Sequence, residues 1–257
     1  MSHLFAVLAG CDYAGSRLQL PGLRGAESDA RQFAALLAGA GLPDHMLAEV
    51  RVLLGPRATR AGIRAALRAC AAAQTTDDTL LFYFAGHGGQ QADGLVLYAY
   101  DAPYPATRLL ADCGRDPAPL AFVLDTCHAG AIALSESTAR ARLMTEFRLG
   151  QVQFLCSAAA TQTAHERADH GVFTQTLLAA LAAPHEPSLW TLPLPLDRWC
   201  TILPPDLLAE MDYSPAATAT VLSAARGSAV VPKVRGATAS NQQNWTAPTL
   251  TGSGPAT

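Results

Sequence analysis

The chain has few charges, one lysine and no long apolar run, and each shortage removes a class of function. Charged residues make up 15% of the 257, the net charge is −3, and no block of basic residues occurs. A nucleic-acid or anionic-membrane partner needs clustered Lys and Arg, so neither is expected. Lys233 is the only lysine among 18 basic residues, so a basic cleavage site within this chain is almost always an arginine. No uninterrupted apolar stretch approaches the ~18–20 residues that cross a bilayer. The opening MSHLFAVLAGCDY has neither a basic leader nor a small-residue cleavage site, which leads to the expectation of a cytoplasmic protein. Cys11, Cys70, Cys113, Cys127, Cys156 and Cys200 are scattered, without a CxxC pair or zinc-ribbon spacing. Reduced, mostly buried thiols are expected rather than a disulfide framework or a metal site.

What is present is an alternation of strands and helices. Half the residues are apolar, enough for one large buried core, and no internal repeat interrupts it. LFAVLA (4–9), EVRVLL (49–54), TLLFYFA (79–85), LAFVLD (120–125) and QVQFLC (151–156) read as strands. Between them, residues 26–40 place Ala30, Phe33, Ala34, Leu37 and Ala40 on one face at helical spacing, ended by Gly41 and Pro43. TRAGIRAALRACAAA supplies a second amphipathic helix with Thr59 as its N-cap, and further helices are expected near 106–113 and at FTQTLLAALA. GLVLYAYDA, at 94–102, reads as a hairpin arm, and TATVLS as a last strand. The order implies an α/β fold, a mostly parallel central sheet with helices on both faces. Residues 1–231 are expected to form the domain. The tail 232–257, rich in Thr, Ser, Gly, Asn and Pro, has too little apolar surface to order itself.

Two strands end in chemistry. FYFAGHGG places His87, and FVLDTCHAG places Cys127, directly beyond a hydrophobic run. In an open α/β sheet the crevice beyond the carboxyl ends of the strands is where ligands bind, and the surrounding glycines let the backbone turn there. A thiol becomes a useful nucleophile when a base or a positive charge favours its thiolate. His87 near Cys127 would take the thiol proton and later protonate a leaving amine, as acyl transfer from a peptide requires. The backbone N–H groups of Gly88 and Cys127 stand where an oxyanion hole would form. His128 is an alternative base, but side chains of adjacent residues diverge and give poor geometry for proton transfer. A metal site from His87, Cys127, His128 and Cys156 has no recognisable ligand spacing.

These blocks resemble the caspase-like cysteine peptidases, and more closely the metacaspases and their bacterial relatives. The matching segments are FAGHGG, LDTCHAG and, after the first strand, RGAESDA, and the likeness runs over roughly residues 4–183. It implies a caspase-like three-layer sandwich with His87 and Cys127 as the dyad, and Gly88 and Cys127 amides as the oxyanion hole. It also implies that Asp29 and Asp125 line the primary specificity pocket and bind arginine, or lysine less well. Two carboxylates in a confined pocket suit a planar guanidinium. Glu166 is the candidate third acid, with Asp169 as its alternative. Arg24 stands in the region where true caspases have a pocket arginine for aspartate.

Further expectations concern control of the site. Residues 135–149 read as an exposed activation loop, with Arg140, Arg142 and Arg148 as processing sites. Asp93, Asp101, Asp112 and Asp116 are too dispersed to form a calcium ligand set, so no cofactor and no calcium requirement is expected. The expected partners are protein substrates and an upstream activating protease, and the chain is expected to act as a monomer. The competing readings are a non-catalytic caspase-like scaffold, or a clan relative of separase-like, CHAT-like or aspartate-directed specificity.

Overall fold

The structure, a computed structural model, describes residues 2–39, 46–113, 119–132, 135, 152–158, 161, 163–167, 169–182 and 222–223. β1 (Ser2–Gly10), β2 (Met46–Leu54), β3 (Thr79–Ala85), β7 (Leu120–Asp125) and β8 (Val152–Cys156) form a parallel sheet. Its order is β8-β7-β3-β1-β2, and β11 (Leu222–Ser223) adds antiparallel to β8 at the edge. Between β3 and β7, the short strands β4 (Gly88–Gln91), β5 (Gly94–Tyr98) and β6 (Pro103–Pro105) make a separate antiparallel sheet.

The central strands carry apolar side chains on both faces, as strands covered on both sides must. Leu4, Ala6 and Leu8 of β1, with Leu81 and Tyr83 of β3, pack under α1 (Ala26–Ala38) and α4 (Val172–Ala182) through Phe33, Leu37, Phe173 and Leu177. Phe5, Val7 and Ala9, with Phe82, Phe84 and Phe122, pack on the other face under α2 (Arg60–Ala73) and α3 (Ala106–Cys113) through Ile63, Leu67, Leu109 and Leu110. Each fully buried Leu, Ile, Val or Phe among them contributes about 1.5–3 kcal/mol. The three layers of the expected α/β sandwich are therefore present.

Local rules read from sequence hold at several joints. Thr59 caps α2, its hydroxyl accepting the Gly62 N–H at 3.0 Å. α3 spans the expected residues. α1 stops at Ala38 with Gly39 as its C-cap, short of the expected residue 40. Five cysteines, Cys11, Cys70, Cys113, Cys127 and Cys156, are free thiols. One expectation is corrected at its edge: Ser135, the first residue of the supposed exposed loop, is fully buried, and its hydroxyl accepts the Leu95 N–H at 2.8 Å. That bond ties Ser135 to β5. Arg140, Arg142, Arg148, Asp116, Cys200, the proline-rich 184–216 and the tail 232–257 lie outside the described residues.

Candidate active site

Register decides which side chains meet. Gly10 pairs with Ala85, and Ala85 with Asp125, so the ends of β1, β3 and β7 lie abreast. The pairing runs on past them: Cys11 N–H bonds Ala85 C=O at 3.0 Å, and Gly86 N–H bonds Asp125 C=O at 3.2 Å. His87 and Cys127 each stand two residues beyond this last paired row, on neighbouring strands. Both line one cleft, together with Leu23, Asp29, Asp125, Ala164, Glu166 and Gly171. The sequence expectation that these blocks converge is met.

Tight packing holds the two blocks together. A Cβ on Gly88 would collide with the Thr126 side chain and would lie 2.5 Å from the Cys127 carbonyl oxygen. Only glycine therefore lets the start of β4 approach the nucleophile's backbone this closely. Thr126 N–H is held by Ser157 Oγ at 3.0 Å, fixing the turn that leads to Cys127 to the residue just after β8. His128 has left-handed backbone (φ 59°, ψ 20°) and starts a 3-10 turn at Ala129–Ala131. That uncommon conformation for a non-glycine residue turns the chain sharply just after the thiol. It fits a loop-shaping role for His128.

The imidazole of His87 has a partner that sequence reading did not find. Its Nε2 lies 2.7 Å from the carbonyl oxygen of Pro21. A carbonyl only accepts, so Nε2 carries the hydrogen and the lone pair of the neutral ring is on Nδ1. Burial pushes the His87 pKa below its usual value, opposed by the Pro21 carbonyl and the charge of Glu166. Burial likewise raises the Cys127 thiol, and the nearby Asp125 charge adds to that rise, while the Ala164 N–H, 3.4 Å from Sγ, favours the thiolate. The opposed shifts favour neutral thiol and neutral imidazole over a resting ion pair.

Below the thiol sit the two acids. Asp29, in the first turn of α1, is 1% exposed. Its Oδ2 accepts the Gly171 N–H at 2.7 Å, and its Oδ1 lies 3.0 Å from His170 Nδ1. Asp125 is 7% exposed, and its Oδ2 accepts the Thr174 hydroxyl at 2.6 Å and the Thr174 N–H at 3.3 Å. Tyr83 in turn hydrogen-bonds the Thr174 hydroxyl from the core at 2.7 Å. Burial raises both carboxyls; Asp125 reaches about 6, with the Asp29 charge contributing. Asp29 is thus no exposed first-turn acid.

Glu166 also lines the cleft, but as a fastener. Its two carboxylate oxygens accept the N–H groups of Arg24 (3.4 Å) and Gly25 (3.2 Å), where α1 has no side-chain cap of its own. The carboxylate suits the positive end of that helix. Glu166 opens β9 (Glu166–Arg167), which pairs with β10 (His170–Gly171) in a tiny hairpin, so this bond clips the hairpin to α1. Asp169 is exposed, and Arg24 is exposed and does not line the cleft. Two of the dispersed acids judged unable to form a calcium site have other work: Asp101 accepts the Arg60 N–H at 2.7 Å, and buried Asp112 holds Arg68 at 2.7 Å and the Tyr104 hydroxyl at 2.8 Å.

The sheet order, its helical layers and the convergence of the histidine and cysteine blocks define a caspase-like cysteine peptidase fold. The chain belongs to the caspase-domain peptidase family, whose model matches residues 4–193. Among solved structures it is similar to protein GSU0716 from Geobacter sulfurreducens, with 18% identity, a TM-score of 0.61, and 91% of this chain and 97% of that one covered. It is also similar to caspase-1 from Spodoptera frugiperda, with 19% identity, a TM-score of 0.48, and coverage of 80% and 77%. The Drosophila initiator caspase Dronc matches at 11% identity and a TM-score of 0.45, with coverage of 70% and 65%. No curated protein matches the sequence.

Proposed function

We propose that the chain is a cysteine endopeptidase that uses His87 and Cys127 as its dyad and cleaves after arginine, with lysine a weaker second. The observation that carries this reading is one cleft lined at once by a thiol, an imidazole and two buried carboxylates. Asp29 and Asp125 come from different elements and both touch the space around Gly171, where a Cβ would lie 3.0 Å from Asp29 Oδ2 and still closer to Asp125. A guanidinium entering the cleft that both acids line meets two acceptors and returns the charge that burial opposes. An aspartate side chain would add a third carboxylate to a pocket already short of water.

The steps follow from the proton positions. His87, held by the Pro21 carbonyl at Nε2, receives the Cys127 proton at Nδ1 as Sγ attacks the scissile carbonyl. The imidazolium so formed is stabilised by Pro21 and Glu166, both of which favour the charged ring. Gly88 and Cys127 N–H groups receive the oxyanion, a type of contact worth about 2.7–4 kcal/mol per donor. Nδ1–H then protonates the departing amine; water, deprotonated by the same nitrogen, attacks the thioester carbon, and Nδ1–H returns that proton to Sγ as the C–S bond breaks and the acid leaves. The pairing is symmetric in protons: one moves onto His87 and off again in each half-reaction.

The test is turnover of peptides bearing arginine before the scissile bond, with Cys127→Ala as the control. Labelling of Cys127 by a thiol-reactive arginine peptide separates this reading from a non-catalytic scaffold, which would neither turn over nor label selectively.

A further inference from the structure

The strand pair that carries His87 is interrupted where it matters. Gly88 and Leu97 are register partners in β4 and β5. One row back, Tyr98 N–H donates to His87 C=O at 3.0 Å. Two residues facing each other in this way normally exchange both bonds. Here the return bond passes through a third residue: His87 N–H donates to the phenol oxygen of Tyr13 at 2.9 Å, and the Tyr13 hydroxyl donates to Tyr98 C=O at 2.5 Å.

We propose that Tyr13 is a positioning residue for the reaction, its hydroxyl inserted as a wedge in the β4–β5 ladder to hold His87 at the angle catalysis needs. The hydroxyl satisfies both groups that would otherwise bond each other, so the His87 N–H stands off from the Tyr98 C=O while the Tyr98 N–H still bonds His87. The Tyr13 ring then braces the imidazole, with centroids 4.9 Å apart and planes tilted by 30°. Tyr13 and Pro21 belong to the same β1–α1 connection, so one loop fixes His87 twice, at its backbone N–H and at Nε2. Burial pushes the phenol well above its ordinary pKa, which keeps it a donor.

The backbone supports the assignment. Tyr13 has φ 63°, a left-handed conformation that is an outlier for a bulky side chain and persists only where its surroundings fix it. It is 4% exposed, so it acts on substrate only through His87.

The inference rests on His87 being the base, and Tyr13→Phe tests it with His87→Ala alongside. The phenylalanine keeps ring and volume and removes only the relay. We expect kcat to fall roughly ten- to a hundredfold, with KM within about twofold and the variant folded. Unchanged kcat, or a loss carried by KM alone, overturns the inference while leaving the dyad standing. Full activity of His87→Ala would instead overturn the dyad. Should Tyr13→Phe fail to fold, Tyr13→4-aminophenylalanine retains a donor and an acceptor and is expected to keep kcat within about tenfold. Loss of activity in that folded variant also overturns the proposal. In the wild-type protein, a through-hydrogen-bond NMR coupling from His87 N directly to the Tyr98 carbonyl carbon would contradict it as well.

Discussion

Asp29 and Asp125 reach the same glycine from different elements, one from the first turn of α1 and one from the end of β7, and the charge of Asp29 helps to raise the carboxyl of Asp125. A buried pair of like charges is unfavourable in the empty protein. It is explained if a cation completes it.

The stability of the free protein follows from that conflict. Asp125 has a folded pKa of about 6 against an ordinary 3.8, so the folded state holds its proton more tightly than the unfolded chain does. Its relative stabilisation is complete below the ordinary value and is lost as pH rises through about 6. Asp125→Asn, which keeps a carbonyl oxygen for the Thr174 hydroxyl, is expected to raise Tm at pH 8. At pH 4 the gain should vanish. Thermal melts of both proteins at the two pH values check this, with a difference on the order of 1–3 kcal/mol at the higher pH.

The same carboxyl is expected to set the acid limb of catalysis. With arginine substrates, kcat/KM should fall as pH drops through about 6, because protonated Asp125 no longer attracts the guanidinium. His87, whose pKa burial holds below the usual value, loses its function as a base at lower pH. In Asp125→Asn the acid limb should therefore move to lower pH, while kcat/KM at neutral pH falls tenfold or more, by roughly 1.4 kcal/mol or above.

The order of proton transfer is open to a separate check. With the thiol raised and the imidazole lowered, Cys127 needs His87 to ionise it at neutral pH. His87→Ala should abolish peptide turnover yet leave iodoacetamide alkylation of Cys127 increasing with pH into the alkaline range. Cys127→Ala should abolish both while folding normally. A rapid alkylation plateau below neutrality in the wild-type enzyme would point to a resting ion pair.

Much of this site was legible because the two reactive residues share an offset. Both FYFAGH and VLDTC end a continuous apolar strand and place the functional side chain just past it, a pattern that survives without knowledge of the fold. Asp125 and Asp29 were read as pocket acids only through the resemblance carried by LDTCHAG and RGAESDA. Pro21 and Tyr13 were not, since one acts through a main-chain carbonyl that any residue has, and the other through a left-handed backbone that sequence does not signal. Glu166 was read as a pocket acid, and its capping of α1 depends on a contact 141 residues away along the chain. Ser135 looked solvent-exposed by its polar neighbours, and only the β5 contact explains its burial.

Calcium should be dispensable. Of the dispersed acids, Asp101 serves a helix end and Asp112 an arginine. Activity on an arginine peptide is expected to survive a calcium chelator. Arrest by chelation, with recovery on adding calcium alone, would refute that expectation.

A thiol peptidase whose paired acids choose arginine should reveal itself in a fluorogenic panel differing only in the residue before the scissile bond. Wild-type kcat/KM should rank arginine first, lysine second because its point charge cannot bridge two carboxylates as a planar fork does, and aspartate far behind. Asp29→Ala should erase most of that ranking without removing the reactivity of Cys127. A preference for aspartate in the wild-type enzyme, or an arginine preference untouched by Asp29→Ala and Asp125→Asn together, would contradict the account.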